Sequence, residues 1–153
     1  MEALLLTLLL WINQNTQFDY SAANGLPAIE AAEQMTLAEL MIDDEAELAG
    51  NRHTASFQNF VNQLEAVYDH DRNRILVSGR INWDSPYGRS VIVHELVHFI
   101  QYRQGVQDQV ACLNALEKDA YEAQALYMAA HDIPMNFDKL TVALRSMCWE
   151  NPE

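Results

Sequence analysis

The sequence predicts an α+β fold in which a small β-sheet with a hairpin packs against a helical block. Three observations carry that reading. At 153 residues and 50% apolar content, the chain has the length of one domain and enough apolar mass for its own core. Segments with helical start and stop signals alternate with short runs rich in Ile, Leu and Val. No internal repeat, low-complexity tract or Pro/Ser-rich linker divides it, so residues 1–153 read as a single domain.

Residues 4–12 are an apolar run that ends at Asn13, Gln14 and Asn15, which predicts a buried first helix. The run follows Glu2 with no Lys or Arg before it, has no cleavage site at signal-peptide distance, and is too short to cross a bilayer. Asn24, Gly25 and Pro27 supply turn chemistry ahead of a weak strand at 28–32. Thr36 and Glu39 form a Thr-x-x-Glu capping box, predicting a helix through Leu37, Leu40, Met41 and Leu48 that stops at Gly50. Two β segments follow at 64–68 and 74–78, reversed by the polar cluster Asp69, His70, Asp71, Arg72 and Asn73. Ser85 before Pro86 reads as an N-cap followed by proline at the first helical position, and Gly105 as the stop, so a helix is expected over 86–104. Asp108 is placed to cap the next helix, through Leu113, Leu116, Ala120, Tyr121, Gln124 and Met128 to a break near Pro134. A last helix is expected over 138–147.

Charge narrows the partners. Nine Lys and Arg against 22 Asp and Glu give a net charge of -13, which repels phosphate backbones and anionic membrane surfaces, so nucleic acid is not expected as a partner. Cys112 and Cys148 are too far apart for a CxxC pattern and are either two free thiols or one disulfide. The first alternative suits a cytoplasmic protein; the second would imply a periplasmic or secreted one.

The expected helix at 86–104 carries His94-Glu95-Leu96-Val97-His98 at its middle. Residues four apart stack on one helical face, so both imidazoles can reach a single metal ion, with Glu95 one position round and near a water bound to it. This is the HExxH pattern of zinc hydrolases. Two imidazoles and a water leave a tetrahedral site one protein ligand short. The following helix offers Glu117, with Asp119 and Glu122 as alternatives; Glu117 is favoured because Tyr121 and Gln124 continue its face as a polar stripe. His53 and His70 lie in polar, turn-like surroundings and read as surface residues.

The stretch His94 to Gln101, HELVHFIQ, followed by Leu116-Glu117-Lys118-Asp119-Ala120-Tyr121, resembles the gluzincin metallopeptidases, HExxH proteins whose third ligand is a glutamate. The order of hairpin, motif helix and glutamate helix is also similar to small single-domain members of that group. The resemblance spans about residues 64 to 130. It implies a zincin-like fold, Zn2+ as cofactor held by His94, His98 and Glu117, Glu95 as catalytic base, and a peptide or protein substrate. It further implies that an extended substrate pairs with the strand before the motif helix, at 75–78. One position departs: many gluzincins carry an acid four residues after the glutamate ligand to orient a zinc histidine, and here Tyr121 stands there. A phenol hydroxyl can do a related job.

The expected activity is metal-assisted hydrolysis of a peptide bond, with Glu95 moving a proton from the attacking water to the leaving nitrogen. Tyr121, Tyr102 and His131 are the candidate donors to the developing oxyanion. The alternative is a non-proteolytic zinc-binding recognition or regulatory module. A purely structural zinc site fits less well, since such sites are usually cysteine-rich and closed by four protein ligands.

Overall fold

A computed structural model describes residues 1–42 and 49–149, and the fold is α+β. Helix α1 (Glu2–Asn15) opens it and buries Leu5, Leu8, Leu9 and Ile12, whose three- and four-residue spacing makes one apolar face. A 3-10 turn (Ala22–Asn24) leads to strand β1 (Ala28–Ala32), then helix α2 (Gln34–Met41). Helix α3 (Ala55–Gln63) precedes the hairpin of β2 (Ala66–Asp69) and β3 (Arg74–Ser78). Helix α4 (Pro86–Arg103) carries the motif; 3-10 turns at Val106–Asp108 and Leu113–Leu116 lead into α5 (Glu117–Ala130), and α6 (Lys139–Ser146) follows.

The three strands form a mixed sheet in the order β1-β3-β2. β3 runs parallel to β1, with Ile29 opposite Ile75, and antiparallel to β2, with Val67 opposite Leu76. As the middle strand, β3 buries Ile75, Leu76, Val77 and Ser78, whereas β1 is an edge with a largely solvated pattern. Asn73 turns the hairpin in the left-handed region at φ 49°, which asparagine tolerates, and its side chain donates to the Leu26 carbonyl.

Helix α4 is the centre of the molecule. The core gathers its Ile92, Val93, Leu96, Val97, Phe99 and Ile100 with the α1 face, Ile75, Val77, and Ala120, Ala123 and Tyr127 of α5. Apolar residues on every side are what a fully surrounded helix requires. Each buried Ile, Leu or Phe stabilises by roughly 1.5–3 kcal/mol, so α4 cannot shift without repacking both layers. Its start is fixed as expected: the Ser85 hydroxyl accepts from Gly88 N at 2.9 Å, Pro86 follows the cap, and Gly105 ends the helix with φ 74°. Gly88 is needed for contact, since a Cβ there would lie 1.9 Å from the Asn82 carbonyl oxygen.

Several expectations are corrected. Thr36 lies inside α2, which starts at Gln34 because the Gln34 amide reaches across to the Val61 and Leu64 carbonyls at 2.8 and 2.7 Å. α2 ends at Met41 rather than near Gly50; Leu48 lies outside the described residues. Helix α3, capped by Thr54, was not expected. Asp108 caps no helix: it ends a 3-10 turn, and the long helix begins at Glu117. Strand β2 lies one to two residues later than 64–68.

Cys112 and Cys148 form a disulfide with Cα atoms 5.7 Å apart. It holds the segment after α6 against the turn that precedes α5, where Asn114 also donates to the Met147 carbonyl at 3.1 Å. Among the described residues, no helix is long and apolar enough to cross a membrane.

Candidate metal centre

His94 and His98 project from one face of α4, and Glu117 reaches them from the first turn of α5, which packs along it. His94 Nε2 lies 3.1 Å from Glu117 Oε2, His98 Nε2 lies 3.2 Å from Glu117 Oε1, and the two Nε2 atoms are 3.2 Å apart. Among the described residues this is the one group of three or more His, Cys, Asp or Glu side chains placed to hold a metal ion. The alternatives Asp119 and Glu122 are not brought into it. His53 and His70 also stand apart, His70 being stacked on Tyr102.

The far side of each ring is tied to an amide. His98 Nδ1 lies 2.9 Å from Gln101 Oε1, and Gln101 Nε2 donates to the Leu116 carbonyl at 3.0 Å. The backbone carbonyl accepts only from the amide NH2, so the oxygen of Gln101 must face His98, and Nδ1 is the nitrogen that carries hydrogen. In the neutral ring His98 Nε2 is then the nitrogen with the lone pair, facing Glu117. His94 Nδ1 likewise lies 3.1 Å from Gln124 Oε1. With both rings neutral, two imidazole lone pairs and a carboxylate converge, a donor set that could hold a cation; with the rings protonated, the same Nε2 atoms donate to Glu117. A tetrahedral ion with bonds of about 2.0–2.1 Å separates its ligand atoms by roughly 3.3 Å, close to the three distances here. The residues fit Zn2+ in donor type and in spacing.

Titration follows the same electrostatics. Burial pushes the Glu117 carboxyl up, but the hydrogen bonds from His94 and His98 outweigh it and hold that carboxyl far below the usual range. Burial pushes the His98 imidazole down, yet Glu117 raises it to about 9. Glu95, buried beside the cluster, is raised by burial against the lowering influence of His94 and His98.

The cluster opens on a cavity of about 860 Å³ walled by α3, β2, α4, α5 and the segment around α6. Of the three candidate oxyanion donors, Tyr121 alone lines it, its ring edge-on to His94 at 4.5 Å. Tyr102 packs against Tyr68 and His70, and His131 stacks on Tyr127 with Nδ1 at the Tyr127 carbonyl, both away from the cavity. The departure at Tyr121 is also accounted for. Gln124, seven positions after Glu117 rather than four, bonds the His94 ring.

Four side chains of the wall, Glu65, Tyr87, Asn136 and Arg145, were not foreseen. Tyr87 donates to Glu65 and accepts from Asn136 at 2.7 Å, joining α4, the start of β2 and the approach to α6. Arg145 of α6 donates to the Tyr121 hydroxyl and lies over its ring, 5.6 Å from the centroid. These residues come from separate elements with no shared local spacing, so only the packing could bring them together. The strand at 75–78, expected to pair with substrate, is the central strand and both its edges are used; the outer edge facing the cavity belongs to β2.

The model of one family, described as a domain of unknown function, DUF6647, matches residues 1–152. The chain belongs to that family. No curated protein and no solved structure matches it.

Proposed function

We propose that this DUF6647 member is a zinc-dependent hydrolase, a metallopeptidase of gluzincin-like, zincin-like type that cleaves peptide bonds. The observation that supports it most is the convergence of His94 Nε2, His98 Nε2 and the Glu117 carboxylate within 3.1–3.2 Å of one another, with His94, Glu117 and Glu95 lining a cavity. Bound there, Zn2+ would polarise a substrate carbonyl and acidify water. The chain does the rest. Glu95, its carboxyl raised by burial, accepts the proton of the attacking water and returns it to the leaving nitrogen, roles that suit a carboxyl shifted toward neutrality. Gln101 and Gln124 fix the tautomer and heading of the two rings. Tyr121 can direct its hydroxyl proton at the developing oxyanion, because Arg145 supplies that hydroxyl with a donor and leaves its own hydrogen uncommitted to Arg145. An extended peptide has the open edge of β2, at Ala66, to lie along. The Cys112–Cys148 bond favours an oxidising compartment, periplasmic or secreted.

The test combines metal content with hydrolysis of a mixed peptide library. Glu95→Gln should keep its zinc and lose about 10²- to 10⁴-fold in rate, while His94→Ala, His98→Ala and Glu117→Ala should lose the metal. Undiminished hydrolysis by Glu95→Gln removes the base; zinc retained by Glu117→Ala reassigns the third ligand. Zinc bound without cleavage by the parent protein would leave the non-proteolytic module.

A further inference from the structure

We propose that Arg145 is an anion-binding residue of the cavity, so that the preferred substrate carries a carboxylate one or two residues beyond the bond that is cut. This rests on the hydrolase reading and names its substrate class.

The first support is an imbalance. With nine cationic side chains against 22 acids, basic groups in this chain should find carboxylates easily, and Arg52, Arg72 and Arg74 do, pairing with Glu39, Asp69 and Glu30. Arg145 does not. Among the described residues no carboxylate lies within ion-pair distance of it, and the partner it has is a neutral phenol, Tyr121, contacted through the hydroxyl and the ring face. A guanidinium has five N–H groups and no acceptor; one donates to Tyr121, and the others leave a planar edge suited to a two-point grip on a carboxylate.

The second support is position. Arg145 lines the same cavity as His94, Glu95 and Glu117, and the Tyr121 ring beneath it stands 4.5 Å from the His94 ring. One phenol therefore separates the guanidinium from a ligand of the metal centre. An extended peptide advances about 3.3–3.6 Å per residue, so a carbonyl placed at the triad puts the next one or two residues within reach of Arg145.

The third support is that the acids of this wall are already engaged. Glu65 is held by the Tyr87 hydroxyl, Glu117 by both imidazoles, and Glu95 is buried beside them. An incoming carboxylate meets an uncommitted cation there. The overall charge of -13 opposes the approach of an anion, so selectivity must come from this short-range pairing.

The test uses three succinyl-hydroxamate dipeptides that differ only at their far end: a free C-terminal carboxylate, a C-terminal amide, and the same amide with Glu replacing Gln at the last residue. Binding to the zinc-loaded full chain is followed by calorimetry, with zinc content and Tm measured on every variant. The carboxylate probe is expected to bind about 10- to 100-fold tighter than the neutral amide, the worth of a charge-assisted hydrogen bond. Arg145→Gln should abolish that preference, read as the ratio of carboxylate to amide affinity within the variant so that any change common to all three probes cancels, with zinc content unchanged, and Arg145→Lys should restore part of it. A preference for the free acid assigns a C-terminal carboxylate; a preference for the Glu amide assigns an acidic side chain. Equal binding of all three probes, or a preference that survives in Arg145→Gln, overturns the inference and leaves the metal centre standing. Failure of every hydroxamate to bind overturns the zinc reading and this inference together.

Discussion

Replacing Gln101 tests how the proposed metal centre is held. The side chain is 1% exposed and makes two hydrogen bonds, accepting from His98 Nδ1 at 2.9 Å and donating to the Leu116 carbonyl at 3.0 Å. Gln101→Leu keeps the bulk and removes both. A buried donor and a buried acceptor are then left unmet, at about 1–3 kcal/mol each, so a loss near 3 kcal/mol is expected. For a domain of this length that is a fall of roughly 6–12 °C in Tm. The His98 ring also loses its orienting partner, and zinc affinity should drop about 10- to 100-fold. Gln101→Glu separates the two effects: an oxygen still accepts from His98, so affinity stays within a few-fold, while a carboxylate facing the Leu116 carbonyl still destabilises. Tm in chelator and competition with a chromophoric zinc chelator read the two quantities independently. Parental zinc affinity in Gln101→Leu would refute the reasoning.

Two further outcomes are expected. In chelator, the raised His98 pKa contributes stability that is complete below the unfolded value of about 6.5 and is lost as pH rises through about 9, worth roughly 3 kcal/mol across that window. Zinc binding needs deprotonated ligands and strengthens with pH. The gap in Tm between zinc-loaded and chelated protein should therefore widen from pH 6.5 to 9, and a flat or narrowing gap would count against the metal centre. Gly88→Ala should destabilise by about 2 kcal/mol or more despite the better helix propensity of alanine, because its Cβ meets the Asn82 carbonyl oxygen. Gly79→Ala, with open space around it, should change stability by less than about 0.5 kcal/mol in the same denaturant titration.

What was legible in the sequence was mostly local. Ser85, Pro86 and Gly105 bound α4 because a cap, a fixed φ and a left-handed stop act within one turn. Arg74 to Ser78 appeared as a strand for the same kind of reason, its apolar run being short and flanked by turn residues. Convergence of His94, His98 and Glu117 was legible because helical spacing fixes two of them and a neighbouring helix offers the third. What escaped was non-local. The parallel pairing of β1 with β3 joins Ile29 to Ile75, and nothing near either residue encodes its partner. Helix α3 is short and polar, with Phe57 and Val61 buried in a small cluster with Ala38, so its apolar signal depends on α2. Gln34 displaced the expected cap by bonding carbonyls about thirty positions along the chain. Arg145 was silent because its importance lies in what it faces, and that follows from where α6 docks.

The disulfide divides the cavity in a way that matters once a peptide bond is cut. Glu117, Tyr121, Gln124, Asn136 and Arg145 all lie between Cys112 and Cys148, inside one covalent ring, while Glu65, Tyr87, His94 and Glu95 lie outside it. A single nick within the ring releases no fragment, because both new ends remain joined through sulfur. Glu117 and the Arg145 wall then stay tethered to the helix that carries the histidines, and the half of the cavity in the ring survives a cut that would detach it from a reduced chain.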